Sequence, residues 1–227
     1  LIQTMYNLVD TAYIGRLGAE PLAALTFSFP LFFTLVSFNI GMGVGLNSTV
    51  ARLIGAGDKA AAANTVLHGI ASSLLCAAAL FLLAEIFLNP LLTLLGARGE
   101  VHKLAADYMR IIAAGAFFMF AMYAINSSFT AQGDTVTPMK IQFFTLFLNI
   151  ILDPLFIFTF DLGIAGAAMA TDIALICGLI MAIFFLRRRS VLQLSRKVWH
   201  FSLTTIKDIF AIGLPASFTM LLMAIYM

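Results

Sequence analysis

The sequence predicts an all-α fold, a polytopic bundle of membrane-spanning helices. Hydrophobic residues make up 62% of the chain and charged residues only 11%, whereas about a quarter of a typical soluble domain is charged. The mean hydropathy is +1.02, and the apolar stretches reach about 20 residues, enough to cross a bilayer. The net charge of +2 is small, and nothing indicates nucleic-acid binding. We therefore expect the lipid bilayer to surround the chain.

Glycine, proline and charged residues divide the apolar sequence into seven predicted helices. Asp58 is expected to cap the third helix. In the second helix, Pro30 and the glycines Gly41, Gly43 and Gly45 indicate bending or close helix packing. The predicted helices are 1–14 (truncated at its start), 21–54, 59–87, 101–131, 137–160, 164–186, and a seventh that begins near 209 and is cut at 227.

These helices suggest one six-helix lobe and the start of another. We assign 1–188 to an amino-terminal transmembrane lobe, 189–208 to a basic connector with an interfacial helix, and 209–227 to the start of a second lobe. If the helices alternate in direction, nine Lys and Arg side chains fall on one side and four on the other. Basic residues favour the cytoplasmic side. The amino terminus and the loop 187–208 are therefore expected in the cytoplasm, with the helices in the plasma membrane.

The most informative motif lies in the fifth helix, where Asn149 and Asp153 are followed by Pro154. A carboxylate at membrane depth is costly and usually has a function. Residues four apart share one helix face, so Asn149 and Asp153 should lie together. Pro154 removes a backbone donor and disfavours helical geometry at Asp153, which predicts a bend there. A purely structural alternative is a kinked helix in which Asp153 binds the freed backbone groups.

Polar side chains of four predicted helices are expected at one depth. Asp10, Asp153, Thr171 and Tyr108 lie five to nine residues from turns on the outer side. At the helical rise this places them roughly 8–14 Å below the outer face. One cluster that also includes Asn149 explains this common depth better than separate coincidences.

Such a cluster can bind a coupling ion. Two carboxylates close together in a dry site cannot both ionise cheaply, so the pair can take up and release a proton near neutral pH. The same oxygens can ligate a hard cation such as Na⁺, at Asp10, Asn149, Asp153 and Thr171. H⁺ and Na⁺ both remain open at this point. Thr171 taken alone can also bind back to its own helical turn.

Several short motifs occur in a fixed order along the chain. They are Asn7-Leu8-Val9-Asp10 followed by Gly15-Arg16-Leu17-Gly18, then Ala131-Gln132-Gly133-Asp134-Thr135, then Asn149-x-x-x-Asp153-Pro154, and finally Gly213-Leu214-Pro215. In this order and spacing they resemble the multidrug and toxic compound extrusion (MATE) transporters, within a larger group that includes lipid-linked oligosaccharide flippases. The resemblance covers essentially the whole chain.

The resemblance implies two six-helix lobes around a central cavity that opens alternately to the two sides. It assigns a cation-binding network to Asp10, Asn149, Asp153 and Thr171, with Tyr108 beside it. It also assigns polar positions of the drug cavity to Gln3, Tyr6 and Asn126, for which ordinary polar packing between helices is the alternative. Another branch of the family carries a glutamate about eight residues after the proline of the seventh helix. In this chain that position, eight residues after Pro215, is Met223, so the resemblance favours the DinF-like branch.

The resulting functional hypothesis is a non-enzymatic, cation-coupled antiporter. It would export amphipathic, cationic organic molecules, with H⁺ or Na⁺ as the coupling ion, no cofactor, and a missing carboxy-terminal lobe as its partner. A flippase for a lipid-linked saccharide is the main alternative, but its pyrophosphate would call for basic residues within the spans. An intramembrane aspartyl protease would need Tyr-Asp and Gly-x-Gly-Asp motifs, whereas Val9 precedes Asp10 and Leu152 precedes Asp153. A structural half that is inert by itself is the last alternative.

Overall fold

The computed structural model describes residues 9–190, 192 and 199–226, with side chains described up to residue 222. The helix α1 is described over 9–14 and ends in a 3₁₀ turn, Gly15–Leu17. The remaining helices are α2 (Ala19–Gly55), α3 (Lys59–Leu94), α4 (Gly99–Ala131), α5 (Val136–Pro154), α6 (Gly163–Arg189) and α7 (Leu203–Tyr226). The described residues contain no strand, and six helical stretches are long and apolar enough to cross a membrane. The predicted all-α membrane bundle is confirmed.

Local sequence explains where α3 begins and why it runs further than predicted. Asp58 caps the helix, because its Oδ1 accepts the Ala61 N–H at 2.9 Å, as predicted. The predicted end at 87 is wrong, since α3 continues through Pro90 to Leu94. Leu88 and Leu92 are buried on either side of Pro90, so apolar packing holds the turn that the proline weakens. A lipid environment also favours a continuous helix, which satisfies most of its own backbone groups.

The fifth and sixth helices also differ from the predicted bounds. The fifth changes at Pro154 from α geometry to a π-helical turn, Leu155–Thr159, at the point where a bend was predicted. Proline cannot donate the usual backbone hydrogen bond, which makes a wider turn acceptable there. The helix α6 extends to Arg189, and α7 begins at Leu203 rather than near 209. Of the connector 189–208, in which an interfacial helix was predicted, residues 191 and 193–198 lie outside the described residues, and 199–202 are not helical.

The helices pack with α2 and α4 at the centre, and α2 lies between α4 and α7. Close contact between α2 and α7 depends on glycine, as predicted for Gly41 and Gly45. A Cβ atom at Gly41 would clash with the Ser217 hydroxyl and the Gly213 carbonyl oxygen. A Cβ atom at Gly45 would clash with the Ile209 carbonyl oxygen. Small residues therefore set the spacing between these two helices.

The bundle has two distinct ends. The α2–α3 end holds the turns after α2 and α4 and the connector between α6 and α7. Polar contacts join these segments, including the Arg52–Asp208 salt bridge at 2.9 Å and the hydrogen bond from Ser190 Oγ to Gln132 Oε1 at 3.1 Å. The α1–α2 end holds the turns after α1, α3 and α5, where Ile14, Leu92 and Ile157 share one apolar core. The predicted site residues lie towards this second end.

Candidate functional site

Two carboxyl groups from distant parts of the chain meet inside the bundle. Asp10 of α1 is 9% exposed, and Asp153 of α5 is fully buried. Their side chains lie within hydrogen-bonding reach of each other. Tyr13, one turn after Asp10, packs edge-on against Phe158 of the π-helical turn, with ring centroids 6.3 Å apart, and this contact holds α1 against the end of α5. A hydrogen bond between two carboxyl groups requires a proton on one of them, so two facing carboxyl groups can share one proton.

Asn149 connects Asp153 to α6. Its Nδ2 donates to Asp153 Oδ1 at 2.9 Å and to Thr171 Oγ1 at 3.3 Å. The spacing of four between Asn149 and Asp153 thus has the expected structural result, because both side chains lie on the same helix face. We call Asp10, Asn149, Asp153 and Thr171 the acid cluster.

Several oxygens of the acid cluster are buried without a hydrogen-bond donor among the described residues. They are Asn149 Oδ1 and, apart from the facing carboxyl group, Asp10 Oδ1 and Asp153 Oδ2. Buried acceptors are almost always paired in proteins, so unpaired ones indicate a ligand that supplies positive charge. The described residues contain no group of three or more His, Cys, Asp or Glu that could hold a metal ion. A bound Na⁺ would therefore need the amide and hydroxyl oxygens as well as the carboxylates.

Tyr108 of α4 lies beside the acid cluster. It is buried and close enough to Asp10, Asp153 and Asp172 to interact with them electrostatically. No hydrogen bond joins its hydroxyl to these carboxyl groups in the described structure. The structure thus places Tyr108 next to the pair but not within its hydrogen bonds.

A cavity of about 120 Å³ opens beside the acid cluster. Its wall combines aromatic rings and thioethers with polar side chains, and Asp10 and Thr171 connect it to the acid cluster. The polar and charged residues on this wall are Asp10, Thr11, Ser28, Asn39, Tyr108, Tyr123, Asn126, Gln142, Thr145, Thr171 and Asp172. Such a wall suits a molecule that is mostly apolar and carries a few polar groups.

A second cavity, of about 350 Å³, adjoins the first towards the α2–α3 end. Tyr123, Asn126 and Gln142 line both spaces. Asn47, Ser48 and other small or polar residues complete its wall. The two cavities share part of their walls. We call the residues that line either cavity the inner face of the lobe.

The three residues assigned to the drug cavity have different outcomes. Asn126 of α4 is 4% exposed, and neither its Nδ2 nor its Oδ1 has a hydrogen-bond partner in the described part of the chain. Asn126 also lines both cavities. Gln3 and Tyr6 lie outside the described residues.

Sequence reasoning missed part of the inner face. Asp172 is about 100° around the helix from Thr171, so the two are not expected in one cluster, and the structure keeps Asp172 outside the acid cluster; its place on the wall of the first cavity, beside Thr171, was not predicted. Gln142 and Asn39 were not singled out. For Gln142 a signal was available, since it lies seven residues before Asn149, two turns along the same face.

The comparison with protein-family models decides the family. The model named MatE matches residues 1–155, which is more than half of the chain. This chain belongs to the MatE family. The predicted MATE resemblance is therefore confirmed, and the six apolar helices make this MatE chain a multi-pass membrane protein.

Curated relatives of this MatE chain include two kinds of transporter. A FAD transporter of Shewanella oneidensis is 38% identical over 73% of the chain, a match that covers 38% of the relative. The multidrug export protein MepA of Staphylococcus aureus is 30% identical over 98% of the chain, which covers 50% of the relative. The MatE chain spans about half the length of MepA and less of the FAD transporter.

Solved structures match the fold of the MatE chain closely. A MOP superfamily transporter from Pyrococcus furiosus superposes with a TM-score of 0.94 at 34% identity, over 99% of this chain and 50% of that one. A multidrug resistance MATE family transporter in an inward-facing conformation gives a TM-score of 0.93 at 34% identity, over 98% of this chain and 51% of that one. An outward-facing conformation gives 0.94 at the same identity, over 99% and 50%. The described bundle therefore has the fold of one half of these transporters.

Proposed function

We propose that this chain forms the amino-terminal lobe of a cation-coupled antiporter that exports amphipathic organic cations. In this proposal a second lobe completes the transporter, and the central cavity opens alternately to the two sides of the membrane. The coupling ion is H⁺ or Na⁺, and it binds at the acid cluster. The inner face, with Asn126, binds the substrate. No cofactor takes part, and the protein transports its substrate without chemical change.

The Asp10–Asp153 pair is the observation that carries this proposal. Its buried oxygens favour one bound positive charge, and its two carboxyl groups come from different helices, α1 and α5. A movement of α1 relative to α5 would change the distance between the carboxyl groups and hence the affinity for the ion. An ion drives a conformational change only if it binds the two conformations with different affinity. A site divided between two helices meets this requirement.

The backbone near Asp153 supports such a movement. The π-helical turn begins directly after Pro154, and π geometry occurs frequently at functional sites in helices. MATE transporters of similar fold have been solved in inward-facing and outward-facing conformations. These two facts support alternating access with α1 and α5 as the moving elements.

The character of the inner face supports a cationic substrate. None of the described residues that line the two cavities is Lys or Arg, whereas Asp10 and Asp172 are acidic. A flavin dinucleotide, which the relative from Shewanella oneidensis transports according to its name, carries two negative phosphates. Binding of a phosphate usually requires Arg, Lys or a helix amino terminus. For the same reason, this lobe favours an organic cation over a lipid-linked pyrophosphate.

We also propose that the α2–α3 end faces the cytoplasm. The last turn of α6 carries Arg187, Arg188 and Arg189. The Arg188 guanidinium lies over the Phe184 ring at 4.6 Å from its centroid, and that of Arg189 lies over the Phe185 ring at 5.2 Å. A group of arginines with adjacent aromatic rings is typical of a cytoplasmic membrane boundary.

Counterflow of a fluorescent cation tests the proposal and identifies the ion. The full-length protein that carries these residues is reconstituted into vesicles, and ethidium transport is driven by a pH gradient or by a Na⁺ gradient, one at a time. We expect one gradient to drive transport, and we expect Asp153→Asn to reduce that transport by about 100-fold. The reason is that an amide cannot replace the charge of the pair.

Asp161→Asn provides the matched control for this experiment. Asp161 is exposed in the turn after α5 and has a φ of 54°, a backbone conformation that asparagine adopts readily. Its transport should equal that of the unmutated protein. Gradient-driven transport that survives Asp153→Asn at full rate would refute the role of the acid cluster.

A further inference from the structure

Asp172 of α6 is a carboxylate in the membrane region that the acid cluster does not include. No hydrogen bond joins it to Asp10 or Asp153 in the described structure, and its Oδ1 is buried without a donor. It lies on the wall of the first cavity, one residue after Thr171. Acidic side chains at membrane depth usually pair with another group or bind a transported ion or substrate. A bound ligand is therefore the expected partner of Asp172.

The neighbouring helix is shaped to accept this carboxyl group. Gly115 of α4 packs directly against it, and a Cβ atom at that position would clash with Asp172 Oδ1, Cγ and Oδ2. The absence of a side chain at Gly115 thus leaves a notch that holds the carboxyl group at the cavity wall. The notch fixes the position of the carboxylate without neutralising its charge.

The rest of the wall suits an organic cation. Phe29, Phe32 and Tyr123 offer ring faces, and Met119 and Met122 offer adaptable thioethers. Aromatic faces attract cationic nitrogen, and thioethers fit irregular apolar shapes. The described wall contains no Lys or Arg that could neutralise Asp172.

A second unpaired group lines the same cavity. Asn126 of α4 is 4% exposed, and both polar atoms of its amide lack a partner among the described residues. A buried amide without hydrogen bonds is costly. Asn126 lies about three helical turns from the Gly115 notch, so its amide can bond a polar group at one end of a long molecule whose charge faces Asp172 at the other end.

We propose that Asp172 forms a subsite for the positively charged nitrogen of the transported molecule, and that Asn126, about 16 Å further along α4 than the Gly115 notch, contacts a different part of that molecule. This inference rests on the proposed export function and adds a second, separate carboxylate to it. The Asp10–Asp153 pair binds the coupling ion, and Asp172 is the counterion of the substrate. Each of the two positive charges thus has its own acidic partner.

Two probes of the same shape but different charge test the subsite. Ethidium is a permanent cation, and its uncharged parent, diaminophenylphenanthridine, lacks only the ethyl group and the charge. Binding of each probe to the full-length purified protein is measured by fluorescence titration at a pH where the parent is neutral. Asp172→Asn should raise the dissociation constant of ethidium by about tenfold or more and that of the parent by less than about twofold.

Two further variants separate loss of charge from loss of fold. Gly115→Ala keeps the carboxylate but displaces it from its notch, so it should weaken ethidium binding in the same direction as Asp172→Asn. Asp161→Asn removes an exposed carboxylate and should change neither dissociation constant. Thermal unfolding of each variant in detergent identifies any loss of folded protein.

The outcomes distinguish this inference from the proposed function. If Asp172→Asn weakens both probes equally, or weakens neither, the subsite is not one for a cationic nitrogen. Equal affinity of the unmutated protein for the two probes, or binding of neither, overturns the inference as well. If Asp172→Asn leaves ethidium affinity intact but abolishes the response to the ion gradient, Asp172 belongs to the ion site and the inference fails. In these cases the effect of Asp153→Asn on gradient-driven counterflow still decides the proposed function separately.

Discussion

Two polar regions of this bundle each contain a buried asparagine, Asn149 in one and Asn64 in the other, but they differ in how many of their buried polar atoms have a hydrogen-bond partner. The first is the acid cluster, Asp10, Asn149, Asp153 and Thr171. The second lies at the α2–α3 end, where Asn64 and His68 of α3 contact Trp199, His200 and Ser202. We call this second region the connector contact.

Every side-chain nitrogen and oxygen of Asn64 and His68 has a partner. Asn64 Oδ1 accepts the His200 N–H, and Asn64 Nδ2 lies 3.2 Å from both the His200 carbonyl oxygen and Nε2. His68 Nδ1 lies 2.9 Å from the Asn64 carbonyl oxygen, and His68 Nε2 accepts the Ser202 N–H at 3.1 Å. The His68 ring, 1% exposed, also stacks on Trp199 with centroids 4.4 Å apart. The connector contact is therefore complete without any ligand.

The acid cluster has the opposite property. Its internal hydrogen bonds leave three buried oxygens without a protein donor other than the facing carboxyl group. A fully satisfied network adds stability and fixes one structure, whereas an incomplete one is costly unless something binds to it. The comparison fits a structural role for the connector contact and supports the proposal that the acid cluster binds an ion. Mutations of one residue type should separate the two roles.

The largest effect in this comparison is expected for Asn149→Ala. Asn149 links Asp153 to Thr171, so its loss frees both groups and changes how the cluster binds its ion. Ion-driven ethidium counterflow should fall by about 50-fold. The free energy of unfolding should change by no more than about 1 kcal/mol, because the network is incomplete before the change.

Asn89→Ala is the control for this prediction, because Asn89 is an exposed asparagine on α3. It should alter neither quantity. If Asn149→Ala lowers the amount of folded protein enough to explain the whole fall in transport, the acid cluster has a structural role. The contrast between the two regions would then not hold.

A smaller effect of the opposite kind is expected for Asn64→Ala. This change removes the hydrogen bonds between Asn64 and His200, including the one that the His200 N–H donates. The free energy of unfolding should fall by about 2 kcal/mol, measured by unfolding in detergent against Asn89→Ala. Transport per folded molecule should stay at the level of the unmutated protein. A loss of transport without a loss of stability would mean that the connector contact takes part in the transport cycle.

Most of the fold could be predicted from the sequence, because hydropathy and helix signals dominate a membrane chain. Asp58 marked the start of α3, and the turn residues separated the helices. The end of α3 could not be predicted from Pro90 alone, since the burial of Leu88 and Leu92 is a tertiary effect. The glycines of α2 likewise predicted close packing with another helix, but the sequence did not show that this helix is α7.

The position of the acid cluster followed from helix geometry alone. Counting residues from the turns placed Asp10 and Asp153 at one depth, and a spacing of four aligned Asn149 with Asp153. The same counting could not place Asp172 on the cavity wall, because an angle around one helix does not give the shape of the cavity beside it. The notch at Gly115 depends on which helix faces α6, and no local sequence signal contains that information.

A double-mutant cycle on the acid pair tests the central claim most directly. The claim is that Asp10 and Asp153 act as one unit that binds one coupling ion. Ion-driven ethidium counterflow is measured for Asp10→Asn, for Asp153→Asn and for the double variant, each relative to the unmutated protein. The account predicts that each single change and the double change all reduce transport by about 100-fold, because the first change already destroys the unit. A double variant whose transport falls by the product of the two single losses, to background, would mean that the two carboxylates act independently and would contradict the account.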